Sequence, residues 1–226
     1  MGRWTGFLTL TKRECHRFLR LYTQTLFPPM ITALLYILIF GYSIGNRISD
    51  FAGVSYIEFI IPGLVMMAVI MSAYANTSSS LFIMKFQRSI EEILISPLSY
   101  MEIVLALMIG GVARGILVGL GVVMIALFFA KITIISIAVL LYFIVLSALI
   151  FSCAGIVTAL WATNFDELSV FSTFLITPLI YLGGVFYSIT MLPDVCANVS
   201  KANPLLYMVN GFRYGFIGTS DVSLLT

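Results

Sequence analysis

The chain has 226 residues, of which 61% are hydrophobic and only 10% charged, against roughly a quarter charged in soluble domains. Leaving that apolar surface in water would forfeit about 25 cal/mol per Å² of burial, which excludes an ordinary soluble fold. A net charge of +2 gives no basis for a nucleic-acid partner, and Cys15, Cys153 and Cys196, odd in number and far apart, read as packing residues rather than a disulfide framework or metal site.

The first element expected is an amphipathic helix over residues 1–22. Phe7, Leu8, Leu10, Phe18, Leu19 and Leu21 alternate with Lys12, Arg13, Arg17 and Arg20, which suits a helix in the cytoplasmic interface with its cations near anionic headgroups. His16 belongs to the same basic face, and Pro28-Pro29 marks a break before the first span. No cleavable signal peptide is read, because the first span follows some twenty mostly polar residues and is long enough to cross.

Residues 21–46, 59–84, 132–165 and 168–193 contain no Asp, Glu, Lys or Arg, and Ile103–Ala130 is interrupted only by Arg114. Each exceeds the ~20 residues needed to cross about 30 Å of hydrocarbon. The fold class expected is therefore all-α and polytopic, a single transmembrane domain whose five-helix core covers 24–191. Its spans lie near 24–44, 59–83, 105–130, 135–160 and 169–191. Seven cations (Arg3, Lys12, Arg13, Arg17, Arg20, Lys85, Arg88) flank one side and four (Arg47, Lys131, Lys201, Arg213) the other. The N-terminus is thus expected in the cytoplasm, with 45–58, 131–134 and the extracytoplasmic segment 192–226 outside.

Between spans two and three, KFQRSIEEILISPLSYME reads as a short amphipathic helix. Ser89 and Glu92 fit a capping box, Ile90, Ile93 and Leu94 share one face, Arg88, Glu91 and Glu92 take the others, and Pro97 ends the helix. Such a helix suits docking into a groove of a soluble partner, since paired acids disfavour an anionic leaflet.

Arg114 is a charge inside a span, either functional or simply snorkelling. Ile103–Ala130 makes roughly 42 Å of helix, so the excess at the cytoplasmic end leaves Arg114 about 5 Å inside the core. Gly110, Gly111 and Gly115 beside it allow close helix approach or a kink. After span five, Gly183-Gly184 are placed to break the helix. NPLLYMVNGFRYGFIG, which holds Arg213, reads as part of a re-entrant or interfacial hairpin at the outer leaflet. Arg114, Gly183, Gly184 and Arg213 are the candidates for a structural or path-lining role.

No P-loop, HExxH or GxSxG motif occurs, and Asp166-Glu167 read as a solvated or partner-facing turn. Acids, which gradient-driven transporters usually carry in their spans, are absent from these spans. A secondary transporter is accordingly the weakest reading.

The order of QTLFPPMI, EFIIPGLVMMAVIMSAYAN, KFQRSIEEILISP, GGVARG, TPLIYLGGVFYSITMLP and NPLLYMVNGFRYGFIG resembles the permease of type-2 ABC exporters, similar to Gram-negative inner-membrane transport permeases. The likeness runs from about Leu19 to Thr226. It implies a multi-pass inner-membrane subunit that dimerises and moves amphiphiles outward. No catalytic site or cofactor of its own is implied, because ATP is bound by a separate ABC ATPase. It also implies that Arg88, Ser89, Glu91, Glu92, Leu94 and Pro97 form the coupling contact with that ATPase. The family has six spans, and the sixth would follow Leu225-Thr226; a truncated, non-transporting remnant or scaffold is the alternative that this raises.

Overall fold

The structure is a computed structural model that describes residues 3–44, 54–130 and 134–221. The expected outer cations Arg47 and Lys131, the loop segments 45–53 and 131–133, and residues 222–226 lie outside the described residues. The described chain is helical: α1 (Arg3–Arg20), α2 (Tyr22–Thr25), α3 (Phe27–Tyr36, widening into a π-type stretch Ile37–Ile44), α4 (Tyr56–Phe86), α5 (Ile90–Ile95), α6 (Tyr100–Ala126) and α7 (Ile137–Trp161). There follow α8 (Phe165–Phe171, continued through a π-type turn), α9 (Thr177–Leu182), α10 (Asp194–Lys201) and α11 (Pro204–Ile217).

Five segments are long and apolar enough to span: Tyr22–Gly41, Tyr56–Phe86, Tyr100–Ala126, Ile137–Trp161 and Phe165–Leu182. The fifth ends at Leu182 rather than at residue 191. Gly183 closes it and Gly184 follows at φ +72°, a left-handed conformation that other residues adopt only at a cost. The chain breaks from α1 at Leu21, ahead of the prolines, which occupy the first turn of α3, where their missing N–H groups cost nothing.

α4 forms the axis. In its most apolar stretch 78% of residues are buried, against 17% in span one and 11% in span five, which are left at the periphery. Lipid gives helices no hydrophobic reason to associate, so close packing of small residues must do it. A Cβ on Gly111 would stand 2.8 Å from Thr77 Cγ2, and one on Gly155 would stand 2.7 Å from the Tyr74 carbonyl. The glycines of α6 and α7 therefore let both helices lie directly on α4, and the glycine-rich part of α6 serves close approach. α4 and α6 start alike: Ser55 with Glu58, and Ser99 with Glu102, form reciprocal capping boxes.

Candidate functional site

The connection from α4 to α6 is built around a backbone reversal. Gln87 ends α4, and Arg88 adopts φ +58°, a position that usually takes glycine because a side chain there costs about 1 kcal/mol. α5 then runs Ile90–Ile95. The expected capping box at Ser89 is absent. Ser89 sits in right-handed helical geometry, and its hydroxyl turns back to donate to the Met84 carbonyl at 3.4 Å, so it cannot reach Glu92. Ile90 and Ile93 pack inward with Phe7, Leu10, Phe82 and Leu98. Leu94 does not join them; it is half exposed beside the fully presented Ile95, at 86%. Glu91, Glu92 and Pro97 are exposed as well. A six-residue helix completes fewer than two turns, and only two apolar positions can face inward. The result is an outward knob carrying two acids and two aliphatic side chains. A 450 Å³ groove, lined in part by Thr9, Arg13, Glu92 and Pro97, runs alongside its contact with α1.

Lys85 ties this end to span four: its Nζ donates to the Leu160 and Ala162 carbonyls, each at 2.8 Å, where a cation complements the helix C-terminus. Across the turn, Asn164 caps α8, and Glu167 accepts from the Thr163 N–H at 2.7 Å. Glu167 is thus a capping residue, while Asp166 stays exposed.

α1 turns Leu10, Glu14 and Phe18 toward the bundle and leaves Trp4, Leu8 and Leu19 exposed. Glu14, which the charge pattern passed over, is fully buried. It accepts from Ser80 Oγ at 2.6 Å and lies 3.4 Å from Arg17 Nε. Arg17 Nη2 in turn donates to the Asn76 carbonyl at 2.8 Å and its side-chain oxygen at 3.0 Å. Gly110 lets this happen, since a Cβ there would meet Glu14 Cβ at 2.8 Å. The available signals were an acid alone among the cations of α1 and the polar run Asn76–Ser80 inside an otherwise apolar span. Arg114, one turn further along α6, reaches the Thr25 carbonyl at 3.2 Å.

At the opposite end, α11 packs over α7 and α4. Gly211 and Gly215 face Phe143 and Leu140, and the Ile135 and Ser136 N–H groups donate to the Gly215 carbonyl. Arg213 is completely buried. Its Nη2 donates to the Gly184 carbonyl at 2.6 Å, its Nη1 to Asn210 Oδ1 at 3.3 Å, and its guanidinium lies 3.8 Å from the centroid of the Phe59 ring. Asp221 Oδ2 stands 3.8 Å from Nη1. The structure therefore joins Gly184 and Arg213, which the sequence could only list, and separates both from Arg114 and from the Arg88–Pro97 loop.

Between spans one and two a 230 Å³ groove is lined by Pro28, Tyr36, Met67 and Met71 among others. Among the described residues no cluster of His, Cys, Asp or Glu could hold a metal. Cys153 and Cys196 are exposed rather than core-packed, and Cys15 is only partly buried, because each falls on the outward face of its helix.

The profile of the family described as ABC-2 type transporter matches residues 5–217. The chain is 49% identical over 223 residues to the inner membrane transport permease YadH of Escherichia coli strain K12, covering 99% of this chain and 87% of that protein. It is 29% identical over 188 residues to nodulation protein J of Rhizobium meliloti strain 1021, covering 82% of this chain and 71% of that protein.

Proposed function

The chain belongs to the ABC-2 type transporter family, and we propose that its Arg88–Pro97 loop is the contact through which a separate ATPase drives export. Membership makes it a multi-pass inner-membrane permease subunit of an ABC transporter, and the family implies an ATPase partner. ATP hydrolysis belongs to that partner. The observation that carries the loop assignment is its exposed knob: Glu91 and Glu92 beside Leu94 and Ile95, on a reversal that holds Arg88 in a left-handed conformation. The left-handed residue terminates α4 and turns the chain so that the knob projects outward. An apolar pair rimmed by charge matches the anatomy of a protein contact.

Force applied to α5 has a short route inward. Ile90 and Ile93 rest on the cluster that holds Phe7 and Leu10 of α1 and Phe82 of α4, and Glu14 and Arg17 bind α1 to α4 by charge-assisted hydrogen bonds. A push on the knob therefore moves the central helix. Two such chains would enclose the path, with the apolar groove along α3 and α4 facing an amphiphilic cargo.

The test is co-purification from native membranes. The Glu91→Lys, Glu92→Lys double variant should bring down several-fold less ATPase than the parent protein at equal permease yield. Equal ATPase recovery with equal stimulation of hydrolysis would sink the assignment.

A further inference from the structure

The elbow joining α1 to α3 carries more positive charge than it neutralises. Glu14 is committed to Arg17 and Ser80. Arg20 is exposed. Among the described residues no carboxylate pairs with Arg114, whose neighbouring charge, that of Arg17, is repulsive. A guanidinium offers five N–H donors; Arg114 uses Nη2 on the Thr25 carbonyl, while its Nε is buried without a partner. An incompletely paired cation at the edge of hydrocarbon is expensive, and the side chain leans toward the start of α6, the end at which α1 lies.

The surroundings have the chemistry of a headgroup region. Tyr22 and Phe27 are exposed with ring centroids 6.0 Å apart, as suits interfacial aromatics. From there Ile31 and Leu35 continue along α3 as an exposed apolar strip. Cations at the elbow followed by an aliphatic track match a phosphate joined to acyl chains, and a free phosphate would leave the track uncovered.

We propose that this elbow is a binding site for an anionic phospholipid, with Arg114 and Arg20 on the headgroup phosphate and the α3 strip against an acyl chain. The lipid supplies the missing counter-charge and fixes the depth of α1.

The full chain, purified from membranes containing phosphatidylethanolamine, phosphatidylglycerol and cardiolipin, should retain anionic lipid through a delipidating wash. Arg114→Gln should lower that retention about tenfold, the scale of one charge-assisted hydrogen bond, Arg114→Lys should lower it less, and Lys201→Gln, at the far end, should leave it unchanged. Retention equal in Arg114→Gln and the parent, or phosphatidylethanolamine held as tightly as the anionic lipids, overturns the proposal. Should the glutamine variant not fold, the parent protein decides. Its unfolding temperature should rise with phosphatidylglycerol vesicles and not with phosphatidylcholine vesicles. An equal rise with both overturns the site, and an equal rise with inorganic phosphate overturns the lipid as its ligand.

Discussion

Arg213 and Gly184, 29 residues apart, meet through a 2.6 Å hydrogen bond from Nη2 to the glycine carbonyl. The bond locks α11 onto the break that ends span five, at the point where the left-handed Gly184 turns its carbonyl into the hairpin. Phe59 receives the guanidinium on its ring face, so the same residue also pins the start of α4. Replacing Arg213 by alanine should cost about 3–5 kcal/mol, the scale for breaking a buried ion pair by removing one partner. Lysine should not restore it, because a point cation cannot reproduce the planar fork. Thermal unfolding in detergent measures both.

Glu14 should behave as a clamp. Glu14→Leu leaves Arg17 part-buried and unpaired at a cost of about 3 kcal/mol, whereas Glu14→Gln keeps an acceptor for Ser80 and should cost less. Gly110→Ala should push α1 away by a different route, since its Cβ would fall 2.8 Å from Glu14 Cβ. In both Glu14→Leu and Gly110→Ala, Cys15 should react faster with maleimide. Unchanged Cys15 reactivity in both would place the hold on α1 elsewhere.

Gly155→Ala tests the packing of span four on span two. Its Cβ would come within 2.7 Å of the Tyr74 carbonyl and 3.1 Å of the Ser78 nitrogen. These are backbone atoms of a buried helix and cannot step aside. A loss of about 2–3 kcal/mol is expected, the upper range for overpacking, read as the midpoint of unfolding in detergent.

Arg88→Gly separates stability from function. Removing the side chain relieves the left-handed backbone and should stabilise the fold by about 1 kcal/mol, seen as a small rise in unfolding temperature. ATPase recovery should nevertheless fall, because Arg88 borders the acidic knob.

The class of the fold was legible because it depends on long charge-free runs, and lipid leaves such runs one conformation. The hairpin break at Gly183-Gly184 was legible for a similar reason, being a local backbone preference. What escaped the sequence were pairings between distant elements. Nothing in α1's own pattern of cations and apolar residues marks Glu14 as buried; α4 supplies Ser80 for it and Asn76 for its neighbour Arg17. Ser89 and Glu92 have the spacing of a capping box, but the left-handed Arg88 redirects the serine hydroxyl toward Met84. The boxes that do form, at Ser55 and Ser99, share the pattern Ser-Tyr-x-Glu and open α4 and α6. Leu94 shows the limit of periodicity: in a helix this short, which apolar residues face inward is decided by α1 rather than by spacing.

The central claim, that an ATPase seats on the Arg88–Pro97 loop, is tested most directly by site-specific photo-crosslinking in intact membranes. A photoreactive residue at Ile95, which is 86% exposed on the knob, should yield an adduct containing an ABC ATPase, and one at Val195, 76% exposed at the opposite end, should not. An adduct from Val195 with none from Ile95, or no ATPase in any Ile95 adduct while the ATPase still co-purifies, would contradict it.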